Sequence, residues 1–218
     1  MTATLQATEQ RHYTPEEYLA LEETAEYKSE YHDGEILPMT GGTTNHNQIA
    51  LNLSVALSIA FKRQNYRVYI GDVRLWIPKF KRFTYPDVMV IAGQPEYYNN
   101  RKDTITNAQV IIEVLSKSTK GYDRGDKFQY YRTVPSFKEY ILLDQSQMFI
   151  EQYTKQENKR WSYSVYDQED AALTFSSFQV EVPLEDIYDR VDFAAGEPEE
   201  YPEYFYEMEG EWERSHYN

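Results

Sequence analysis

Between residues 45 and 64, apolar side chains recur at every fourth position: Ile49, Leu53, Leu57 and Phe61, with Ala56 and Ala60 beside them. This spacing predicts an amphipathic helix whose stripe needs another layer to cover it. Upstream, Thr14-Pro15-Glu16-Glu17 predicts a helix start, with Thr14 as N-cap, Pro15 in the first turn and Glu17 closing a capping box; the helix runs to about residue 23. Residues 30–37, Glu-Tyr-His-Asp-Gly-Glu-Ile-Leu, predict a tight hairpin, because Asp33-Gly34 suits the positive φ of such a turn.

Three runs rich in β-branched and aromatic residues follow, at 66–77, 85–92 and 110–115, and predict the sheet under the long helix. The last of them, Val-Ile-Ile-Glu-Val-Leu, is apolar but for Glu113, the pattern of a strand covered on both faces. Residues 93–107 are polar and loop-like. Residues 123–133 predict a third helix ended by Pro135, and residues 138–144 another buried strand, so the helix between two such strands implies a right-handed parallel crossover. A hairpin is expected from residues 148–154 and 161–166, followed by a further apolar stretch at 178–187. The alternation of strands and helices gives a mixed α/β (α+β) fold.

Length and charge refine this picture. The 218 residues suit one domain, here residues 1–188, with an appendage at 189–218. The net charge of −14 excludes a generic basic nucleic-acid binder, but ten acids against two bases fall within residues 189–218, so the body is only mildly acidic. That tail carries eight glutamates between Glu197 and Glu213, together with Tyr204, Phe205, Tyr206 and Trp212, and is expected to be a mobile or docked appendage. The absence of cysteine excludes thiolate metal clusters and Cys nucleophiles. With neither a signal-like N-terminus nor a membrane-length apolar run, a cytoplasmic protein is expected. The 21 tyrosines are spread along the chain, which points to packing rather than a stacking platform.

Tyr85-Pro86-Asp87 opens one strand and Glu113 interrupts another. Antiparallel neighbours would bring the two carboxylates together at a sheet edge, as a hard oxygen site suited to Mg²⁺; the alternative is a salt-bridged or solvent-facing glutamate. Asp123, Lys127 and Tyr131 follow one helix face. They form either a surface pair or a cation aimed at the carboxylates. Glu30 and His46 are candidates for the rim. Lys79, Lys81 and Arg82 precede the Asp87 strand, and Arg101 and Lys102 lie in the loop before Glu113; each group either flanks a cleft or is ordinary solvated loop. No Walker-type phosphate loop is present.

Taken in order, Glu30-Tyr31-His32-Asp33-Gly34-Glu35, His46, Tyr85-Pro86-Asp87, Glu113-Val114-Leu115-Ser116-Lys117-Ser118-Thr119, Asp123, Lys127 and Tyr131 resemble the bacterial Uma family of putative restriction endonucleases, in the PD-(D/E)XK nuclease superfamily. The resemblance covers residues 14–187 and implies a restriction-endonuclease-like αβββαβ core, here with an N-terminal helix and hairpin and extra C-terminal strands. It implies a Mg²⁺-dependent endonuclease acting on DNA, with Mn²⁺ as a substitute. Asp87 and Glu113 match the metal carboxylates, with the Val114 carbonyl as a further ligand. Glu30 resembles an extra acid that could hold a second metal. The chain departs from the pattern at Leu115, where the superfamily has its lysine; Lys127 is the expected replacement and Lys117 the competitor. A homodimer would supply two active sites for two strands. The competing reading is an inactive nuclease-like fold that serves as an interaction module.

Overall fold

The computed structural model describes residues 11–39, 41–117 and 119–194. The appendage expected beyond residue 188 therefore lies mostly outside the described residues. Helix α1 (Pro15–Glu22) starts as expected: the Thr14 side chain accepts from the Glu17 N–H, and Glu17 returns the bond to the Thr14 N–H. Strands β1 (Ser29–His32) and β2 (Glu35–Pro38) pair antiparallel around Asp33 and Gly34, both at positive φ. Helix α2 (Thr44–Ala60) begins after Thr43, whose hydroxyl accepts from the His46 N–H, and buries Ile49, Leu53 and Leu57.

The expected strand 66–77 is two strands in two sheets. A turn at residues 71–73, where Gly71 has positive φ, separates β3 (Tyr66–Ile70) from β4 (Arg74–Ile77). Strand β5 (Arg82–Thr84) and β6 (Val88–Ala92) are divided in the same way by Tyr85-Pro86-Asp87, so Asp87 sits in the crossing between sheets rather than inside a strand. Pro86 has no N–H to give to a ladder, which suits it to such a break. The polar stretch 93–107 contains a short turn of 3₁₀ helix (Tyr98–Asn100) and β7 (Thr104–Ile105), which pairs in parallel with β4.

After β8 (Val110–Leu115) the chain forms one continuous helical segment: α3 (Lys120–Tyr122), a π-helical turn (Asp123–Lys127) and α4 (Phe128–Tyr131). It leads to β9 (Glu139–Asp144), parallel to β8 as the crossover requires. The hairpin β10 (Phe149–Lys155) and β11 (Trp161–Asp167) follows, then β12 (Ala172–Phe175), which the sequence reading had not marked, β13 (Val180–Pro183) and α5 (Leu184–Ile187). The main sheet runs β11-β10-β9-β8-β6-β3 and the second sheet β2-β1-β5-β4-β7.

Two apolar clusters sandwich the main sheet. On one face, α2, β12, β13 and α5 cover Val110, Ile112 and Val114. On the other, Leu75 and Ile77 of the second sheet and Tyr131 of α4 cover Ile111 and Leu115. A smaller cluster of Tyr18, Leu19, Tyr31 and Phe83 fixes α1 to the second sheet. By the two-residue period of a strand, Glu113 shares the face of Ile111 and Leu115. It therefore points into the wedge between the two sheets and the helical segment.

Candidate active site

The antiparallel register Val88↔Ile112 continues by one step to set Asp87 opposite Glu113. The Asp87 N–H donates to Glu113 Oε2 at 3.3 Å, and the Val114 N–H donates to Asp87 Oδ2 at 2.8 Å. Val114 lies past the last β6 pair, so its main chain on that side is free of the ladder. Nε2 of His46, in the first turn of α2, lies 3.0 Å from Asp87 Oδ1. The hydroxyl of Tyr131 donates to Glu113 Oε1 at 2.6 Å and Lys127 Nζ to the same atom at 3.2 Å. Lys127 also reaches Asp123 Oδ1 at 3.0 Å. Asp123 is 2% exposed, and this oxygen is held by the ion pair with Lys127 rather than by an aligned hydrogen bond.

Glu30 is 8% exposed, with one oxygen receiving the Tyr85 N–H at 3.3 Å and the other 2.9 Å from His32 Nε2. It therefore stands as a brace for the sheet crossing that carries Asp87, not as a free rim acid. Lys117 is exposed, and it is Lys127 that meets Glu113. Leu115, where the resemblance would have placed a lysine, is packed among Tyr131, Tyr140 and their neighbours. The face that a strand lysine would have occupied is thus apolar, and the crossover helix delivers the ammonium instead.

Burial raises the Glu113 pKa to about 8, with Asp87 and Asp123 adding to the effect against the pull of Lys127 and Tyr131. Burial opposes the charge on Asp87 too, but the hydrogen bond and charge of His46, with Lys127 and the Val114 N–H, outweigh it and leave its pKa lowered. The same contact raises His46 against its own burial. Lys127 is driven well above the usual lysine range because Glu113, Glu30 and Asp123 overcome its desolvation.

The donor set fits a divalent cation. Asp87, Glu113, Asp123 and Glu30 gather around a single lysine, an acid excess that is costly to bury without further positive charge. Among the described residues no three His, Cys, Asp or Glu side chains form a ready metal cage. Mg²⁺ does not ask for one, since it takes one or two carboxylates and keeps most of its waters. Sequence reasoning had not assigned the contacts of Tyr131, His32 and Thr84. The period-two spacing of Glu30 and His32 was a usable signal for one of them; the Thr84–Tyr131 contact at 3.4 Å joins residues of distant elements and left none.

The model of Uma2, described as putative restriction endonucleases, matches residues 15–185. The chain belongs to the Uma2 family. Two uncharacterized proteins of Synechocystis sp. are similar to this Uma2 member: one is 40% identical over 167 residues, covering 77% of this chain and 94% of the relative, and the other 34% identical over 174 residues, covering 78% and 90%. A crystal structure of a putative nuclease belonging to DUF820 from Anabaena variabilis superposes with a TM-score of 0.66 at 18% identity, covering 81% of this chain and 97% of that one. The nuclease-like mixed α+β fold of this Uma2 chain follows from that likeness. No helix among the described residues is long and apolar enough to cross a membrane.

Proposed function

We propose that this protein is a metal-dependent endonuclease that hydrolyses DNA phosphodiester bonds. The observation that supports it most is the convergence of Asp87, Glu113 and Lys127, from a sheet crossing, a buried strand and a π-turn, in a member of a family described as putative restriction endonucleases. Asp87 and Glu113, with the Val114 carbonyl, would hold Mg²⁺ or Mn²⁺. When bound there, such an ion would supply Lewis acidity toward the phosphodiester and toward the attacking water. His46 and Tyr131 fix the orientation of the two carboxylates. Lys127 places a preorganised positive charge where negative charge grows on the phosphoryl oxygens. A homodimer would present two such sites to the two strands.

Nicking of supercoiled plasmid at low salt in Mg²⁺ and in Mn²⁺, with EDTA as control, tests this reading. Parent protein is expected to cut, and Asp87→Ala and Glu113→Ala to fold but not cut. Cutting by both variants at the parental rate would remove the site assignment. A second reading has its own observation: the pairs Asp87–His46 and Glu113–Lys127 already compensate both carboxylates, as in an inactive interaction module. Calorimetry separates the two, because a module of that kind takes up no Mg²⁺ or Mn²⁺ that Asp87→Ala abolishes.

A further inference from the structure

The bases flagged before the two catalytic strands do not share one fate. Lys81 is exposed and paired with Asp33 at 3.1 Å. Lys79 is exposed, with its ammonium 5.8 Å from the Phe80 ring. Arg101 is neutralised by Glu23 and Asp103. Arg82 differs from all of them. Its Nε and Nη1 are buried without a hydrogen-bond partner among the described residues, and no carboxylate among those residues forms an ion pair with it. Its guanidinium lies 4.0 Å from the centre of the Tyr130 ring. A ring face stabilises a cation but does not replace the acceptors that a desolvated guanidinium has lost.

Its position gives this arrangement a meaning. On β5, Tyr31↔Phe83 and His32↔Arg82 are the register pairs with β1; Tyr31 and Phe83 enter the aromatic cluster under α1. Strand alternation therefore sends Arg82, Thr84, Glu30 and His32 to the opposite face, toward the helical segment. Thr84 meets Tyr131, which holds Glu113. Arg82 sits two residues along, about 7 Å away at the rise of a strand. Around it, Tyr122 and Tyr130 lie with ring centres 6.5 Å apart, the Tyr122 hydroxyl is 3.5 Å from His32, and Lys127 is 5.7 Å from the Tyr122 ring. Arg82 thus lies on the same face of the second sheet as Glu30 and Thr84, next to the acid cluster but outside it.

We propose that Arg82 binds a backbone phosphate of the nucleic-acid substrate, the one neighbouring the phosphodiester at Asp87 and Glu113. The assignment rests on the nuclease reading above and deepens it. Arg82 is half-buried with its guanidinium 4.0 Å from the centre of the Tyr130 ring, so a phosphate that docks here meets a cation already partly desolvated and restrained, which loses little further freedom.

The test uses the full chain in EDTA and a labelled mixed-sequence DNA duplex, with binding followed by fluorescence anisotropy across a salt series. Arg82→Met is expected to weaken binding about tenfold and to reduce the slope of log K against log salt by about 0.9, one phosphate contact. Arg82→Lys should keep the slope with intermediate affinity. Lys81→Met should leave the slope as in the parent. Thermal melting supplies a reading independent of DNA: a ligand-awaiting cation can be replaced by methionine without lowering Tm, whereas a structural one cannot. A parental slope and affinity in Arg82→Met overturn the assignment, whether or not its Tm falls. If the parent still nicks plasmid in that case, only Arg82 is misassigned; if the parent neither binds nor nicks DNA, the nuclease reading fails and takes this assignment with it.

Discussion

Lys127 is crowded by acids: it donates to Glu113 at 3.2 Å, lies 3.0 Å from Asp123 and feels the charge of Glu30. An ammonium so placed holds its proton more tightly than an ordinary lysine, so the role proposed for it is electrostatic rather than that of a base. Lys127→Met should retain the fold and lower the plasmid-cleavage kcat by about 10²–10³-fold, the loss typical of one preorganised charge or donor at a reacting centre. Lys117→Met, at the exposed position on the strand's far end, should leave kcat unchanged. The reverse ranking in single-turnover cleavage would return the motif lysine to position 117.

The π-turn over Asp123–Lys127 is the element that aims this lysine. One residue too many in the turn shifts the register between α3 and α4, so that Asp123, Lys127 and Tyr131 all reach the same carboxylate wedge, and such turns concentrate at functional sites. Gly125 lies within it, and a Cβ added there meets nothing within 4 Å. Gly125→Ala is therefore expected to stabilise the protein by up to about 1 kcal/mol in urea denaturation, through a less flexible unfolded chain, with cleavage retained. Deleting Gly125 is a different operation. It restores ordinary helical periodicity and turns Lys127 about 100° relative to one of its neighbours, so a folded deletion protein should show no cleavage.

Across the whole molecule, the candidate site lies where the chain passes from the second sheet to the main one through Tyr85-Pro86-Asp87. Glu30 ties that crossing to β1, and Tyr85 ties it to the buried Arg74 at 2.6 Å and to Glu22 at 2.8 Å. The net charge of −14 opposes the approach of DNA to this wedge, and the eight glutamates between Glu197 and Glu213 supply much of it. Replacing those eight by glutamine in the full chain should tighten duplex binding at low salt, with the difference fading as salt is raised, because the effect acts through screened long-range charge. An affinity that does not change at low salt would show that the glutamates exert no net field at the cleft.

By itself the sequence determined most of the elements. The capping box at Thr14 and Glu17, the Asp33-Gly34 turn, the four-residue stripe of α2 and the apolar run of β8 each depend on neighbours within a few residues. It also singled out Asp87 and Glu113, since an acid in an apolar strand conflicts with its surroundings unless something compensates it. Local pattern could not assign the strands to two sheets: the run 66–77 is continuous in composition, β5 lies ahead of the run at 85–92, and only the pairing partners show which strands belong together. The contact of Lys127 with Glu113, the bracing of Glu30 by His32 and Tyr85, and the setting of Arg82 against Tyr130 likewise arise only in three dimensions. Each depends on contacts between elements far apart in the chain, and the energy of burying a charge is set by those distant neighbours.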